Sequence, residues 1–131
     1  MDSIYKNFIK FILVGFVAFT SDITLYLALV SYGWQTILAK ATGFIFGLII
    51  GYFLNSIFTF QKTAINQKRF FKYLFVYFCS LIANTLTNEY LIKLFINSIN
   101  RDQAFLIAVI IATTVSLLMN FFGLRYYVFK N

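Results

Sequence analysis

The sequence contains no proline and no histidine, a single cysteine, and only four acidic residues. The absence of histidine excludes imidazole-based catalysis and histidine metal sites, and one cysteine cannot build a thiolate zinc cluster or an intramolecular disulfide. Cys79 lies inside an apolar run, where it is best interpreted as a small hydrophobic side chain. The composition therefore predicts no metal and no cofactor.

Apolar side chains are what the chain has in excess. Hydrophobic residues make up 61% and aromatic residues 21% of its 131 positions, against 11% charged residues. A soluble domain of this size could not bury so much apolar surface, so the solvent around it must be lipid. Long ordered loops and linkers are not expected without proline and with few glycines, and residues 1–131 are predicted to form one transmembrane domain.

Four apolar stretches are long enough to cross a bilayer, which takes about 20 predominantly apolar residues per helix. They cover residues 8–31, 37–60, 70–96 and 104–129. The sequence therefore predicts an all-α membrane protein with four transmembrane helices.

Basic residues predict the orientation of these spans. They precede span one, fill the loop between spans two and three, and close span four: Lys6, Lys10, Lys62, Lys68, Arg69, Lys72, Arg125 and Lys130. The other two connections contain only Arg101, which Asp102 offsets. The positive-inside rule then puts the N and C termini in the cytoplasm of a multi-pass protein of the cytoplasmic (inner) membrane. The net charge of +7 is accordingly attributed to contact with anionic membrane lipids, not with nucleic acid.

An internal repeat relates the two halves of the chain. A shift of 62 residues aligns span one with span three, matching Lys10, Phe11, Val14, Phe16 and Asp22 to Lys72, Tyr73, Val76, Phe78 and Asn84. A shift of 69 residues aligns span two with span four, matching Gly43, Gly47, Gly51, Tyr52, Phe53, Ser56, Phe58 and Phe60 to Ala112, Ser116, Asn120, Phe121, Phe122, Arg125, Tyr127 and Phe129. We predict a duplicated two-helix hairpin with parallel repeats.

Small residues recur at helical spacing in spans two and four. Gly43, Gly47 and Gly51 lie on one face of span two, and Ala112 and Ser116 lie on the matching face of span four. Such faces usually serve close helix packing. The two faces could meet near the axis of the repeat, and the alternative function is a groove that also admits a lipid chain or headgroup.

Asp22 carries a charge well inside span one, which costs roughly 2.5–3.5 kcal/mol near the bilayer centre unless it is paired or hydrated. Lys40, at the start of span two, is the expected partner because the hairpin brings the two positions side by side. Two interpretations stay open: a structural ion pair, or a site for a polar substrate group that crosses the membrane. Asn84 directs a polar side chain inward in span three, and Glu89 can pair with Lys93 one turn away.

Polar residues also gather at the inner ends of spans two and four. Asn55, Ser56, Asn120 and Arg125 could form a hydrogen-bonding cluster at headgroup depth. The planar guanidinium of Arg125 suits a phosphate. For Arg125 alone, a simple positive-inside anchor is the favoured interpretation.

Several motifs together resemble the GtrA family. They are Phe11 to Gly15 followed by Ser21-Asp22, the run Gly43 to Asn55 followed by Phe58-Thr59-Phe60, Lys72-Tyr73-Leu74, and the ending Asn120-Phe121 through Arg125 to Phe129. The resemblance covers nearly the whole chain. It implies a small four-helix membrane protein of polysaccharide or teichoic-acid glycosylation, and an activity that moves polyprenyl-phosphate-linked sugars across the membrane.

The resemblance also implies which residues bind. Asp22, Asn55, Asn120 and Arg125 occupy the polar positions of the family. Ser56 stands where the family usually has a basic residue, and Leu124 stands where it usually has asparagine, so the inner cluster is less basic than usual.

The leading hypothesis is therefore a flippase for a polyprenyl-phosphate-linked sugar, with Asp22, Lys40, Asn55, Asn84, Asn120 and Arg125 binding the substrate. Membrane lipids, glycosyltransferases of the same pathway and a second copy in a homodimer are the expected partners. Two alternatives remain: a non-transporting subunit that docks a glycosyltransferase through the glycine face, and a small proton-coupled multidrug exporter. An enzyme is not expected, because no nucleophile with its base and no paired carboxylates are recognisable.

Overall fold

The computed structural model describes residues 2–62 and 66–130. Its elements, in chain order, are α1 (Asp2–Ser31), α2 (Thr36–Leu54), a first π-helical segment (Asn55–Thr59), α3 (Gln67–Phe95), α4 (Arg101–Gly123) and a second π-helical segment (Leu124–Val128). The described part of the chain contains no β-strand. Each π segment continues directly from the α-helix before it.

Four stretches among the described residues are long and apolar enough to cross a membrane: Ser3–Ser31, Thr36–Thr59, Gln67–Phe95 and Arg101–Val128. The predicted all-α fold with four spans is thus confirmed. The starts of α3 and α4 lie earlier than predicted because asparagine caps extend the helices beyond their apolar cores. The side-chain oxygen of Asn66 accepts a hydrogen bond from the Lys68 amide at 2.9 Å, and that of Asn100 accepts one from the Asp102 amide at 3.0 Å.

The chain divides into two compact units, each of them a helical hairpin. The first hairpin consists of α1, α2 and the first π segment, and the second consists of α3, α4 and the second π segment. Most large apolar side chains of both hairpins are exposed, as expected of surfaces that face lipid.

Glycines bring the two helices of the first hairpin close together. A Cβ atom at Gly43 would lie 2.6 Å from the carbonyl oxygen of Asp22, and one at Gly47 would lie 2.9 Å from that of Ala18. Gly51, on the same face, is buried as well. The sequence pattern suggested span four as the partner of this face, but at Gly43 and Gly47 the partner is α1 of the same hairpin.

The second hairpin uses alanine more than glycine for the same purpose. The buried residues of its two α-helices are Tyr73, Val76 and Ser80 on α3 and Ala104, Ala108, Ala112 and Phe121 on α4. Gly123 is its one glycine, and a Cβ atom there would lie 2.6 Å from a methyl carbon of Val76. Small side chains thus set the distance between the helices in this hairpin too.

Burial and local structure follow the shifts of 62 and 69 residues found in the sequence. Phe11 and Val14 are buried, as are Tyr73 and Val76 at the shifted positions. The shift of 69 also carries the first π segment, Asn55–Thr59, onto the second, Leu124–Val128. These correspondences fit a duplicated hairpin, and the duplication itself stays a prediction.

Substituting alanine for Gly43 is expected to destabilise the first hairpin by about 1–3 kcal/mol, the usual effect of overpacking. The added methyl group meets backbone, which cannot rotate away. Gly15 is the matched control, since a Cβ atom there has nothing within 4 Å. Thermal unfolding in detergent should show a lower midpoint for Gly43→Ala and little change for Gly15→Ala. Equal midpoints would contradict the close packing.

Candidate functional site

An ion pair joins the two helices of the first hairpin. The Lys40 ammonium donates to both carboxylate oxygens of Asp22, at 3.0 Å to Oδ1 and 2.9 Å to Oδ2. Asp22 is only 7% exposed, whereas the side chain of Lys40 is 52% exposed. The ammonium also lies 5.7 Å from the ring centroid of Tyr26. A deeply placed carboxylate is therefore neutralised by a cation that remains accessible.

Glycine makes room for this pair. A Cβ atom at Gly43 would lie 2.8 Å from the Oδ1 atom of Asp22, so a larger residue would displace the carboxylate. Asp22 lies nine residues before the end of α1 at Ser31, which is about 13 Å along the helix at roughly 1.5 Å per residue. Lys40 lies four residues after the start of α2 at Thr36, or about 6 Å. The lysine thus reaches into the membrane to meet the aspartate.

A shallow depression lies beside the exposed side of Lys40. Its walls are formed by Tyr26, Thr36, Ile37, Lys40, Ala41 and Phe44. The depression opens toward the surroundings of the hairpin, so a charged group could approach the ammonium there without displacing either helix.

The second hairpin has a neutral polar residue, Asn84, where the first has the charged Asp22. Asn84 aligns with Asp22 in the repeat, and its Nδ2 atom donates to the Ser116 hydroxyl at 3.2 Å. Ser116 in turn donates to the carbonyl oxygen of Thr113 at 3.1 Å. The two equivalent helix pairs are therefore bridged differently, one by an ion pair and one by an amide and a hydroxyl.

Two amide oxygens in the second hairpin are buried without a hydrogen-bond partner among the described residues. They belong to Asn88 and Asn120. A buried unsatisfied acceptor costs about 1–3 kcal/mol. Both oxygens could therefore accept hydrogen bonds from water or from the hydroxyl groups of a polar ligand.

Side chains of the first π segment are engaged within the protein. Asn55 is buried, and its side-chain oxygen accepts a hydrogen bond from the Thr59 hydroxyl at 3.0 Å. The Ser56 hydroxyl donates to the carbonyl oxygen of Lys62 at 3.0 Å, and the Lys62 amide donates back to the Ser56 carbonyl at 2.7 Å. Both residues close the end of the hairpin.

Arg125 occupies the position in the second π segment that Ser56 occupies in the first. It is half-buried, and its guanidinium carbon lies 5.6 Å from the ring centroid of Tyr126. Stacking on an aromatic ring orients the planar guanidinium group.

Each hairpin also places a lysine over an aromatic ring of its π segment, which the sequence interpretation missed. Lys10 lies 5.1 Å from the ring centroid of Phe58, and Lys72 lies 4.9 Å from that of Tyr127. The shift of 62 residues aligns Lys10 with Lys72, and the shift of 69 aligns Phe58 with Tyr127. The sequence therefore contained a signal for this pairing. It was missed because basic and aromatic residues at a membrane interface are usually only anchors.

Comparison with known proteins agrees with this architecture. Residues 10–129 match the family described as GtrA/DPMS, transmembrane domain. The chain belongs to this family. No curated protein and no solved structure matches it. As a GtrA/DPMS protein it is a multi-pass membrane protein that takes part in the glycosylation-related handling of sugar lipids.

Within this GtrA/DPMS domain, the predicted site residues fall into separate groups. Asp22 contacts Lys40, and Asn84 contacts Ser116. Asn55 belongs to the first hairpin, whereas Asn120 and Arg125 belong to the second, so a single inner cluster of all three stays a prediction. Glu89 and Lys93 form an exposed pair at 3.1 Å.

The described residues contain no group of three acidic or cysteine side chains that could hold a metal ion.

Proposed function

We propose that this GtrA/DPMS protein flips a polyprenyl-phosphate-linked sugar across the cytoplasmic membrane, for glycosylation of a cell-wall polysaccharide or teichoic acid. The observation that carries the proposal is the Asp22–Lys40 pair, in which a buried carboxylate of a lipid-facing hairpin holds an accessible ammonium. Intramembrane charges of this kind commonly line the paths of polar substrates.

The polar groups of the two hairpins suit the two parts of such a substrate. Arg125 would bind the phosphate through charge-assisted hydrogen bonds. The amide oxygens of Asn88 and Asn120, and the amide of Asn84, would bind sugar hydroxyl groups. In the outer half of the membrane, Lys40 would release Asp22 and receive the phosphate. Energy would come from the concentration gradient of the lipid or from a coupled ion, since the sequence contains no nucleotide-binding loop.

Two observations weigh against the alternatives. The carboxylate of Asp22 is already paired with a lysine, which disfavours a site for cationic drugs. The glycine face of α2 packs on α1 at Gly43 and Gly47, so these positions are not available for docking a glycosyltransferase. The chain is proposed to be a carrier and not an enzyme, with glycosyltransferases of the same pathway supplying and using its substrate.

The basic ends of the hairpins support the orientation that goes with this proposal. Both termini would lie in the cytoplasm, where anionic lipids attract the lysines and arginines. A homodimer is a further expectation, since four helices enclose little volume for a sugar phosphate.

The test is a flipping assay with purified protein in liposomes that contain a fluorescent short-chain polyprenyl-phosphate sugar. An impermeant reagent reports how fast the inner-leaflet pool becomes exposed. We expect faster exposure than in protein-free liposomes, and no effect on a cationic dye in the same vesicles. A folded protein that accelerates neither process would favour the docking subunit, and proton-dependent movement of the dye would favour the exporter.

A further inference from the structure

An apolar groove follows the surface of the second hairpin between α3 and α4. It is lined by Phe75, Val76, Cys79, Met119, Gly123 and Tyr127. Its volume is about 320 Å³, near the lower end of the range for ligand pockets. Every lining side chain except the tyrosine hydroxyl is apolar, so the groove suits a hydrocarbon chain.

Glycine shapes the floor of this groove. Because a Cβ atom at Gly123 would lie 2.6 Å from a methyl carbon of Val76, the helices approach closely there, and no side chain of α4 fills the groove at that point. The repeat aligns Gly123 with Leu54 and Cys79 with Val17. The corresponding surface of the first hairpin thus carries larger side chains at both positions.

A cation lies at one end of the groove. The Lys72 ammonium sits 4.9 Å from the ring centroid of Tyr127, which is itself a wall of the groove. Lys72 follows the start of α3 by only five residues, and this corresponds to headgroup depth in a span of about 20 residues. The ring covers one side of the ammonium, and the N–H groups that point away from it can still donate.

Among the residues that the structure describes, no carboxylate of the second hairpin pairs with this cation. Its two acidic residues, Glu89 and Asp102, lie near the opposite end of the hairpin, and Glu89 pairs with Lys93. Lys72 can therefore pair with an anion from outside the hairpin, at the depth where lipid phosphates lie.

We propose that the second hairpin binds a lipid phosphate at this place, with the phosphate on Lys72 and one hydrocarbon chain in the groove. An apolar groove that ends beside the Lys72 ammonium fits a lipid with one chain and a phosphate. A polyprenyl phosphate, the carrier lipid of the proposed substrate, has one chain and a phosphate. The choice of this occupant rests on the proposed function. A phospholipid with two chains would leave its second chain outside.

Cys79 offers a direct test, because it lines the groove and is the only cysteine of the chain. The full-length protein is placed in phosphatidylcholine nanodiscs with or without decaprenyl phosphate, and the rate of Cys79 alkylation by membrane-permeant N-ethylmaleimide is measured. We expect the probe lipid to slow alkylation at least fivefold. Lys72→Gln should abolish the protection and Lys72→Arg should keep it. Lys10→Gln is the matched control, since it removes the equivalent lysine of the first hairpin and should leave the protection intact.

Native mass spectrometry in detergent supplies a second measurement that does not depend on the thiol. The apparent Kd for decaprenyl phosphate should rise about tenfold in Lys72→Gln, as expected for the loss of one charge-assisted contact. Cys79→Phe, which fills the groove, should weaken binding while Lys72 remains. Unchanged affinity in both variants would overturn the site. Equal protection of Cys79 by phosphatidylglycerol would overturn the carrier as its occupant.

These experiments contain no transport step, so the two proposals can fail separately. Lys72-dependent binding without flipping by the wild type would leave the groove site standing and remove the flippase. If the wild type flips the substrate, and Lys72→Gln binds and flips it as well as the wild type does, the flippase stands and the groove site is removed.

Discussion

Replacing Lys40 with methionine is expected to destabilise the protein more than replacing Asp22 with alanine. Lys40→Met leaves a buried carboxylate with no cation, and breaking a buried pair in this way costs about 3–5 kcal/mol. Asp22→Ala leaves a lysine whose side chain is already 52% exposed and lies close to the start of α2. The long side chain of Lys40 can carry its ammonium to the membrane interface. We therefore expect a loss of stability of about 1–2 kcal/mol, less than for a charge left at the bilayer centre.

Titration with sodium dodecyl sulfate in mixed micelles measures both free energies of unfolding. The double variant Asp22→Asn/Lys40→Met is the control, because it contains no buried charge, and its stability should return to within about 1 kcal/mol of the wild type. A larger loss of stability for Asp22→Ala than for Lys40→Met would contradict the claim that the carboxylate is the buried partner of the pair. A double variant less stable than either single variant would contradict it too.

Replacing Arg125 with alanine is expected to slow flipping by about 10–100-fold. This range corresponds to the loss of a charge-assisted hydrogen bond to phosphate, about 1.5–3 kcal/mol, at about 1.4 kcal/mol per factor of ten. Arg125 is half-buried and stacked on Tyr126, so its guanidinium is held in place before the substrate arrives.

Lys130 provides the matched control for Arg125. It is a basic residue in the same terminal segment, but it is exposed, and its expected role is that of an anchor for anionic lipids. Lys130→Ala should change the flipping rate by less than twofold. If both variants slowed flipping equally, Arg125 would also be an anchor, as the sequence alone suggested.

The spans and the ion pair could be predicted because each depends on short-range rules. Apolar length alone identifies a transmembrane helix. A charge as deep as Asp22 requires a partner, and a hairpin connection leaves Lys40 as the nearest opposite charge. The family, too, could be recognised from motifs distributed over the chain, and the match over residues 10–129 agrees with it.

The ends of the helices and the partner of the glycine face could not be predicted. The π segments Asn55–Thr59 and Leu124–Val128 have no apolar signature that separates them from the α-helices they continue. Residue spacing shows that Gly43 and Gly47 share a face, but it cannot say which helix packs there. That Asn55 binds headgroups stays a prediction. Its side-chain oxygen accepts a hydrogen bond from Thr59, a contact four residues away that composition does not reveal.

The most direct measurement is the flipping rate of the Asp22→Asn/Lys40→Met double variant beside the wild type, in liposomes with the fluorescent polyprenyl-phosphate sugar. This variant separates transport from stability, since it should fold as well as the wild type. We predict that the wild type exposes the inner-leaflet pool well above the protein-free rate, and that the double variant is at least tenfold slower. A double variant as fast as the wild type would show that the ion pair is only structural, and a wild type no faster than empty liposomes would contradict the flippase.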